Sequence, residues 1–208
     1  MLLVVGGHTR NIGKTGVMAG VIAALREQQW TAIKITQFGH GICSANGEPC
    51  DCQTDDHTIA ISEERSRTSG KDTARYLASG AERSFWVRTR QGQLAEAMPR
   101  VRTLIGAAGN VVIESNSVLR FLRPDLALFV ADGRVEDFKA SALRYLDRVD
   151  ALVSVGGAAG AATAWESVAP SLLRGKPRFA VDAETFQSAE LTSFVAARLG
   201  LATVASAR

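Results

Sequence analysis

The sequence lacks any apolar run that approaches the roughly 20 residues needed to cross a bilayer. Its first residues, MLLVVGG, contain neither a basic region nor a cleavage pattern, which argues against a secretory signal. An excess of one charge is also missing, since 24 Lys and Arg stand against 21 Asp and Glu for a net charge of +3. Aromatic residues make up only 6%, and no dense basic stripe interleaved with aromatics is present. We therefore expect a cytoplasmic protein that binds neither membranes nor nucleic acids.

Cysteine is scarce, and the three that occur all lie within residues 43–52. An odd number of clustered cysteines in a reducing compartment disfavours a disulfide scaffold and favours metal or redox chemistry. The spacing C-x6-C-x-C-x4-H can supply three thiolates and an imidazole to Zn²⁺, while soft thiolates also suit copper(I) or an iron–sulfur cluster. Unligated thiols, or thiols that carry a substrate metal in transit, are the alternatives. The predicted metal ligands are Cys43, Cys50, Cys52 and His57, with His40 as a further candidate.

Short apolar runs alternate with helical patterns along the rest of the chain. Strands are predicted at 2–5, 30–35, 83–89, 110–115, 126–132, 151–155 and 178–182. Helices are predicted at 14–27, 71–79, 91–106, 136–148, from about 161, and at 187–199. This alternation predicts the α/β class, with a mostly parallel sheet covered by helices on both faces. We expect one domain over residues 1–208, with an irregular Cys-rich insert at about 37–69.

The most informative segment is GGHTRNIGKTG at residues 6–16, between the first predicted strand and the first predicted helix. It reads G-x5-G-K-T, one residue longer than the common phosphate loop G-x-x-x-x-G-K-[ST], and His8 stands where that template has its first glycine. Glycines let successive N–H groups point at an anion, and the helix N-terminus adds partial positive charge. Lys14 would neutralise the β- and γ-phosphates and Thr15 would hold Mg²⁺. The alternative is a glycine turn with a surface lysine.

The predicted nucleotide-binding residues follow from this loop. They are Thr9, Arg10, Asn11, Ile12, Gly13, Lys14, Thr15 and Gly16. A carboxylate for Mg²⁺ is predicted at Glu114, which ends the apolar run VVIE, because ligands gather at the carboxyl ends of strands in open α/β sheets. Asp132, which ends LFVAD, is a second candidate by the same argument. An exposed acid at the end of a strand is the alternative for both.

The loop GHTRNIGKT resembles the G-T-x-T-x-x-G-K-T loop of dethiobiotin synthetase and the cobyrinic-acid amidase group, both of the deviant P-loop class. Three further segments resemble, in order, parts of the molybdopterin-guanine dinucleotide biosynthesis protein B family. They are AIKITQFGHG (32–41), GKDTARYLASGA (70–81) and VVIESNS (111–117). The resemblance covers roughly residues 1–135. The chain differs from that family in the loop length, in the sequence Glu114-Ser115-Asn116 where the family has V-E-G, and in the cysteine segment.

The resemblance implies a P-loop NTPase fold and a Mg²⁺-dependent protein that binds GTP or ATP, hydrolyses it slowly and acts in molybdenum-cofactor or related metal-cofactor biosynthesis. It assigns catalytic roles to Lys14, Glu114 and Lys34, with Lys34 near phosphates or an anionic substrate, and it implies a homodimer and a biosynthetic protein partner. By resemblance Asp72 and Arg75 face the ligand cleft; a simple surface pair is the alternative. GTP rests on the resemblance alone, since the guanine signature N-K-x-D is missing.

Two other functions stay open at this point. One is an ATP-dependent ligase of dethiobiotin synthetase type, in which Lys14 and Lys34 would stabilise a carboxyl-phosphate transition state. The other is a nucleotide-switched metallochaperone or metal sensor, in which the cysteine segment is the working site.

Overall fold

One eight-stranded sheet organises the part of the chain that the computed structural model describes, residues 1–39, 59–157, 165 and 168–201. Its strands are β1 (Leu2–Gly7), β2 (Thr31–Phe38), β3 (Ile59–Glu64), β4 (Arg83–Arg90), β5 (Val111–Glu114), β6 (Leu126–Val130), β7 (Ala151–Val155) and β8 (Arg178–Val181). The strand order is β3-β4-β2-β5-β1-β6-β7-β8, and every pair is parallel except β3 with β4. The α/β class and the mostly parallel sheet are therefore confirmed.

The register places the ends of three central strands side by side. Val5 of β1 pairs with Glu114 of β5, and Lys34 of β2 pairs with Glu114 from the other side. Because these strands are parallel, their carboxyl ends meet at one edge of the sheet. The loop that follows β1 opens at this same edge.

Helices cover both faces of the sheet. They are α1 (Lys14–Ala24), α2 (Asp72–Ala78), α3 (Leu94–Gly106), α4 (Ala140–Leu143) and α5 (Ala189–Arg198), with 3₁₀ turns at Arg26–Gln28, Ser117–Arg120, Leu146–Arg148 and Pro170–Leu172. Leu3 and Val5 join the core beneath α1, α2 and α5, whereas Val4 joins the core beneath α3. This alternation shows why β1 is a continuous apolar run, since each of its faces is buried.

Two predicted elements differ in the structure. Residues 59–64, predicted as part of an irregular insert, form β3, an edge strand whose Ile59 and Ile61 pack against the core on one face only. The helix predicted over 136–148 is wrong over most of its length, because only Ala140–Leu143 is α-helical. Lys139, which precedes Ala140, instead contacts the loop after β1, because its N–H donates to the His8 carbonyl at 2.9 Å. Tertiary contact has overridden the helical pattern here.

Other predictions lie partly or wholly outside the described residues. The first two residues of the predicted insert end β2, whereas its cysteines lie within 40–58, which are not described. The start of the helix predicted from about 161 is also outside. One domain over the whole chain stays a prediction. Among the described residues, no helix combines the length and the apolar character needed to cross a bilayer.

Candidate functional site

The loop between β1 and α1 makes a tight reversal that requires left-handed backbone at two residues. Gly13 has φ 92° and Asn11 has φ 57°. A Cβ on Gly13 would lie 2.8 Å from a methyl carbon of Val155, so glycine is needed there for space as well as for conformation. The Gly13 carbonyl accepts from the Val17 N–H at 2.8 Å and thereby starts α1. Lys14 and Thr15 are consequently the first two residues of that helix.

The extra residue of the loop, His8, is fully buried and anchors the loop to the segment after β6. The Asp132 N–H donates to His8 Nε2 at 3.0 Å, so the ring proton lies on Nδ1, which donates to the Asp137 carbonyl at 2.8 Å. Phe138 and Trp165 lie against the ring, with centroids 5.5 and 5.1 Å away. Burial lowers the pKa of His8. A fully buried imidazole thus replaces the glycine of the common template.

Asn116, two residues beyond β5, holds the start of the loop. Its Oδ1 accepts from the Gly7 N–H and its Nδ2 donates to the Gly7 carbonyl, both at 2.8 Å. Both backbone groups of Gly7 are therefore satisfied by one side chain. A Cβ on Gly6 would collide with the Asn116 amide oxygen, which explains the glycine at that position.

Lys14 is folded back over the loop. Its ammonium donates to the Thr9 carbonyl, while the Thr9 hydroxyl donates to the Asp137 carboxylate. Burial lowers the pKa of Lys14, and the Glu114 carboxylate works in the opposite direction. The lysine therefore lies over the curl of the loop, within reach of any anion that the loop amides would hold.

Glu114 is the acceptor at the centre of the site. It is only 7% exposed, and its Oε2 accepts from the Thr15 hydroxyl at 2.8 Å and from the fully buried Tyr76 hydroxyl. Burial, and then the Glu114 charge, raise the pKa of Tyr76 well above its usual range. Lys34 Nζ lies 3.6 Å from the same oxygen and also pairs with Asp72. The structure thus brings the predicted residues Thr15, Glu114 and Lys34 together.

These side chains open onto a cleft of about 530 Å³. All the residues predicted to bind nucleotide line it except Ile12, whose side chain is buried in the core beneath α1. Cations outnumber acids in the lining. The cations are Arg10, Lys14, Lys34, Arg75 and Lys139, and the acids are Asp72 and Glu114. A cleft of this composition favours an anionic ligand.

The remaining predicted residues have other partners. Asp132 pairs with Arg134 at 2.8 Å, an interaction that lowers the pKa of the carboxyl group. Asp72 pairs with Lys34, and Arg75 lies over the Phe186 ring at 4.8 Å, although both line the cleft. Cys43, Cys50, Cys52, His57 and His40 lie outside the described residues. In the part of the chain that the structure describes, no group of three or more His, Cys, Asp or Glu is placed to hold a metal ion.

Sequence reasoning did not assign roles to His8, Tyr76, Asn116, Asp137 or Lys139. A usable signal existed for Asn116, because a polar residue within two positions of the end of the VVIE strand must lie near the sheet edge where the loop opens. For the others the contacts join segments far apart in the sequence, and no local pattern marks them.

Comparison with protein-family models found no match to this chain. Comparisons with curated proteins and with solved structures also found none.

Proposed function

We propose that the chain is a Mg²⁺-dependent nucleotide-binding protein with a P-loop NTPase fold of the deviant class, and that it hydrolyses nucleoside triphosphate slowly. The observation that carries this proposal is the joint placement of Lys14, Thr15 and Glu114. β1, the loop after it and α1 position Lys14 and Thr15. The neighbouring parallel strand β5 brings the Glu114 carboxylate to 2.8 Å from the Thr15 hydroxyl. A glycine turn with a surface lysine would not account for a half-buried lysine that feels the charge of a buried acid.

The residues present fit Mg²⁺ by the chemistry of their donors. Magnesium prefers oxygen ligands and is commonly bound through one or two protein groups plus substrate phosphates. The Thr15 hydroxyl and the Glu114 carboxylate are such oxygens, and both line the cleft. When bound, the ion would offset charge on the phosphate oxygens.

The chain's own residues would do the rest. The amides of residues 9–14 and the start of α1 would hold phosphate oxygens, and the Lys14 ammonium would exchange its bond with the Thr9 carbonyl for one with the terminal phosphates. Lys34, held between Asp72 and Glu114, would stand beside the transferred group. Such fixed charges in a partly closed site lower the barrier by electrostatic stabilisation.

The resemblance of residues 32–41, 70–81 and 111–117 supports the finer part of the proposal. It favours GTP over ATP, a role in molybdenum-cofactor or related metal-cofactor biosynthesis, a homodimer and a protein partner from that pathway. The second candidate function is an ATP-dependent ligase. It is favoured by the loop with five intervening residues and by the presence of Lys34 in the same cleft as Lys14. A zinc or iron–sulfur site at the cysteines, and the metallochaperone function that needs it, stay predictions.

Calorimetry tests the proposal directly. ATP, GTP and their diphosphates would be titrated with and without Mg²⁺ into the wild type, Lys14→Ala, Glu114→Gln and the control Arg100→Ala. Arg100 is an exposed cation on α3, away from the cleft. We expect Lys14→Ala to weaken triphosphate binding at least about tenfold, or about 1.4 kcal/mol. Glu114→Gln should reduce the gain in affinity that Mg²⁺ confers. Arg100→Ala should change neither the triphosphate affinity nor this gain.

Two results would contradict the proposal. One is a wild-type protein that binds no triphosphate at millimolar concentration, and the other is an unchanged affinity in Lys14→Ala. ADP release that depends on an added small carboxylic acid would instead decide for the ligase.

A further inference from the structure

Lys139 brings a second lysine to the loop from a distant part of the chain. It immediately precedes α4, lines the same cleft as Lys14, and is half-buried. Within the described residues its ammonium forms no hydrogen bond or ion pair, in contrast to Lys14 and Lys34, which both have partners. A lysine placed in a cleft without a partner is available to a ligand.

The position of Lys139 is fixed by the loop itself. Its N–H donates to the His8 carbonyl at 2.9 Å. The His8 ring in turn bonds the Asp132 N–H and the Asp137 carbonyl, and Thr9 donates to the Asp137 carboxylate. Four contacts therefore tie residues 132–139 to residues 8–9. A merely surface-exposed lysine would not need such an anchor.

Cations lie near one another around this anchor, and an anion would relieve their mutual repulsion. Burial, and then the nearby cation Arg10, lower the pKa of Lys139, while Asp137 acts in the opposite direction. Lys139 and Arg10 likewise contribute to lowering the pKa of Lys14. The partly buried Lys14 and Lys139 thus repel each other and the exposed Arg10. Like charges gathered in this way are typical of a site whose ligand supplies the opposite charge.

We propose that Lys139, together with Arg10, is a second cationic contact for a polyphosphate anion held by the loop, added to the usual phosphate-loop lysine by the segment after β6. Applied to nucleoside triphosphates, the inference rests on the proposed function. Applied to the inorganic anion, it can be tested without a nucleotide. On this proposal the extra loop residue, His8, has a structural role, because its buried ring and its carbonyl hold Lys139 at the cleft.

The test titrates inorganic tripolyphosphate, and separately GTP and ATP, into the wild type, Lys139→Ala, Lys139→Gln, Lys139→Arg and Arg144→Ala. Arg144 is an exposed cation at the end of α4 that does not line the cleft, so it is a matched control for lost charge. We expect Lys139→Ala and Lys139→Gln to weaken tripolyphosphate binding about fivefold or more, as for a partly exposed charged hydrogen bond. Lys139→Arg and Arg144→Ala should stay within about twofold of the wild type. Circular dichroism and thermal unfolding would verify that each variant is folded.

The outcomes separate the two proposals. If Lys139→Ala binds tripolyphosphate like the wild type, or no more weakly than Arg144→Ala, the inference is overturned, and the Lys14→Ala result decides the proposed function by itself. If the wild type binds tripolyphosphate but no nucleotide, the proposed function fails, while the Lys139 variants still decide the inference. A wild type that does not bind tripolyphosphate overturns the inference directly.

Discussion

Replacing His8 by alanine removes a fully buried ring that has a specific partner on each nitrogen. The change deletes the contacts with Phe138 and Trp165 and leaves the Asp132 N–H without its acceptor at 3.0 Å. Loss of a buried ring of this size costs roughly 2–3 kcal/mol when the site relaxes partly. A buried donor left unpaired costs about 1–3 kcal/mol more. We therefore expect His8→Ala to lower the free energy of unfolding by about 3–6 kcal/mol at pH 7.5.

The same residue makes stability depend on pH. Burial lowers the pKa of His8 in the folded protein, with Asp132 and Asp137 opposing this effect and Lys14 adding to it. An unfolded histidine titrates near 6.5, so below that pH the unfolded chain binds a proton that the folded protein does not. The contribution of His8 is therefore fully present above pH 6.5 and decreases as pH falls towards the folded pKa. The decrease can reach about 1.4 kcal/mol per pH unit.

Urea denaturation of the wild type, His8→Ala and His8→Phe between pH 5 and pH 7.5 measures both effects. Neither variant can titrate at this position, so the difference in unfolding free energy between wild type and variant should shrink as the pH falls below 6.5. His8→Phe keeps a ring against Phe138 and Trp165 and should recover part of the loss. A difference that stays constant across the pH range, or a cost below about 1 kcal/mol for His8→Ala, would refute the account of a buried neutral anchor.

Two further substitutions test the framework of the loop. Asn116→Ala removes both hydrogen bonds to Gly7 and should lower the free energy of unfolding, measured by urea denaturation, by about 1–3 kcal/mol. Triphosphate binding in calorimetry should also weaken, and an unchanged stability would contradict the role of Asn116 in holding the loop. Gly16→Ala puts a Cβ into the Phe186 ring and should lower the free energy of unfolding by about 1–3 kcal/mol in the wild type, but by little or nothing in a Phe186→Ala background. An equal loss in both backgrounds would show that the ring is not the obstacle.

The central sheet and the loop could be predicted because their signals are local. The apolar run of β1, the Gly13-Lys14-Thr15 sequence and the helically spaced apolar residues after it occur within residues 1–27. Glu114 could be placed at the same edge because parallel strands align their carboxyl ends, and the register of β1 with β5 agrees with that argument. Periodicity and strand polarity were sufficient for this part of the site.

The contacts that hold the loop could not be predicted in this way. His8 binds residues 132–139, and Asn116 binds Gly7, so each contact joins segments more than a hundred positions apart. The apolar positions of 136–148 suggested a helix, yet Phe138 is placed against the His8 ring and the helix is limited to Ala140–Leu143. Propensity is a weak guide where a distant side chain provides the packing partner.

The glycines of α1 make this helix depend on a segment near the other end of the sequence. Gly16 and Gly20 leave room for the ring and the carbonyl of Phe186, which has a left-handed backbone at φ 57°. Each interior glycine weakens a helix by about 1 kcal/mol relative to alanine, so α1 is poorly stabilised by its own residues. During synthesis from the N-terminus, the helix that carries Lys14 gains its full packing only after Phe186 has left the ribosome. The packing of the loop and α1 is therefore completed only after a segment far along the chain has been synthesised.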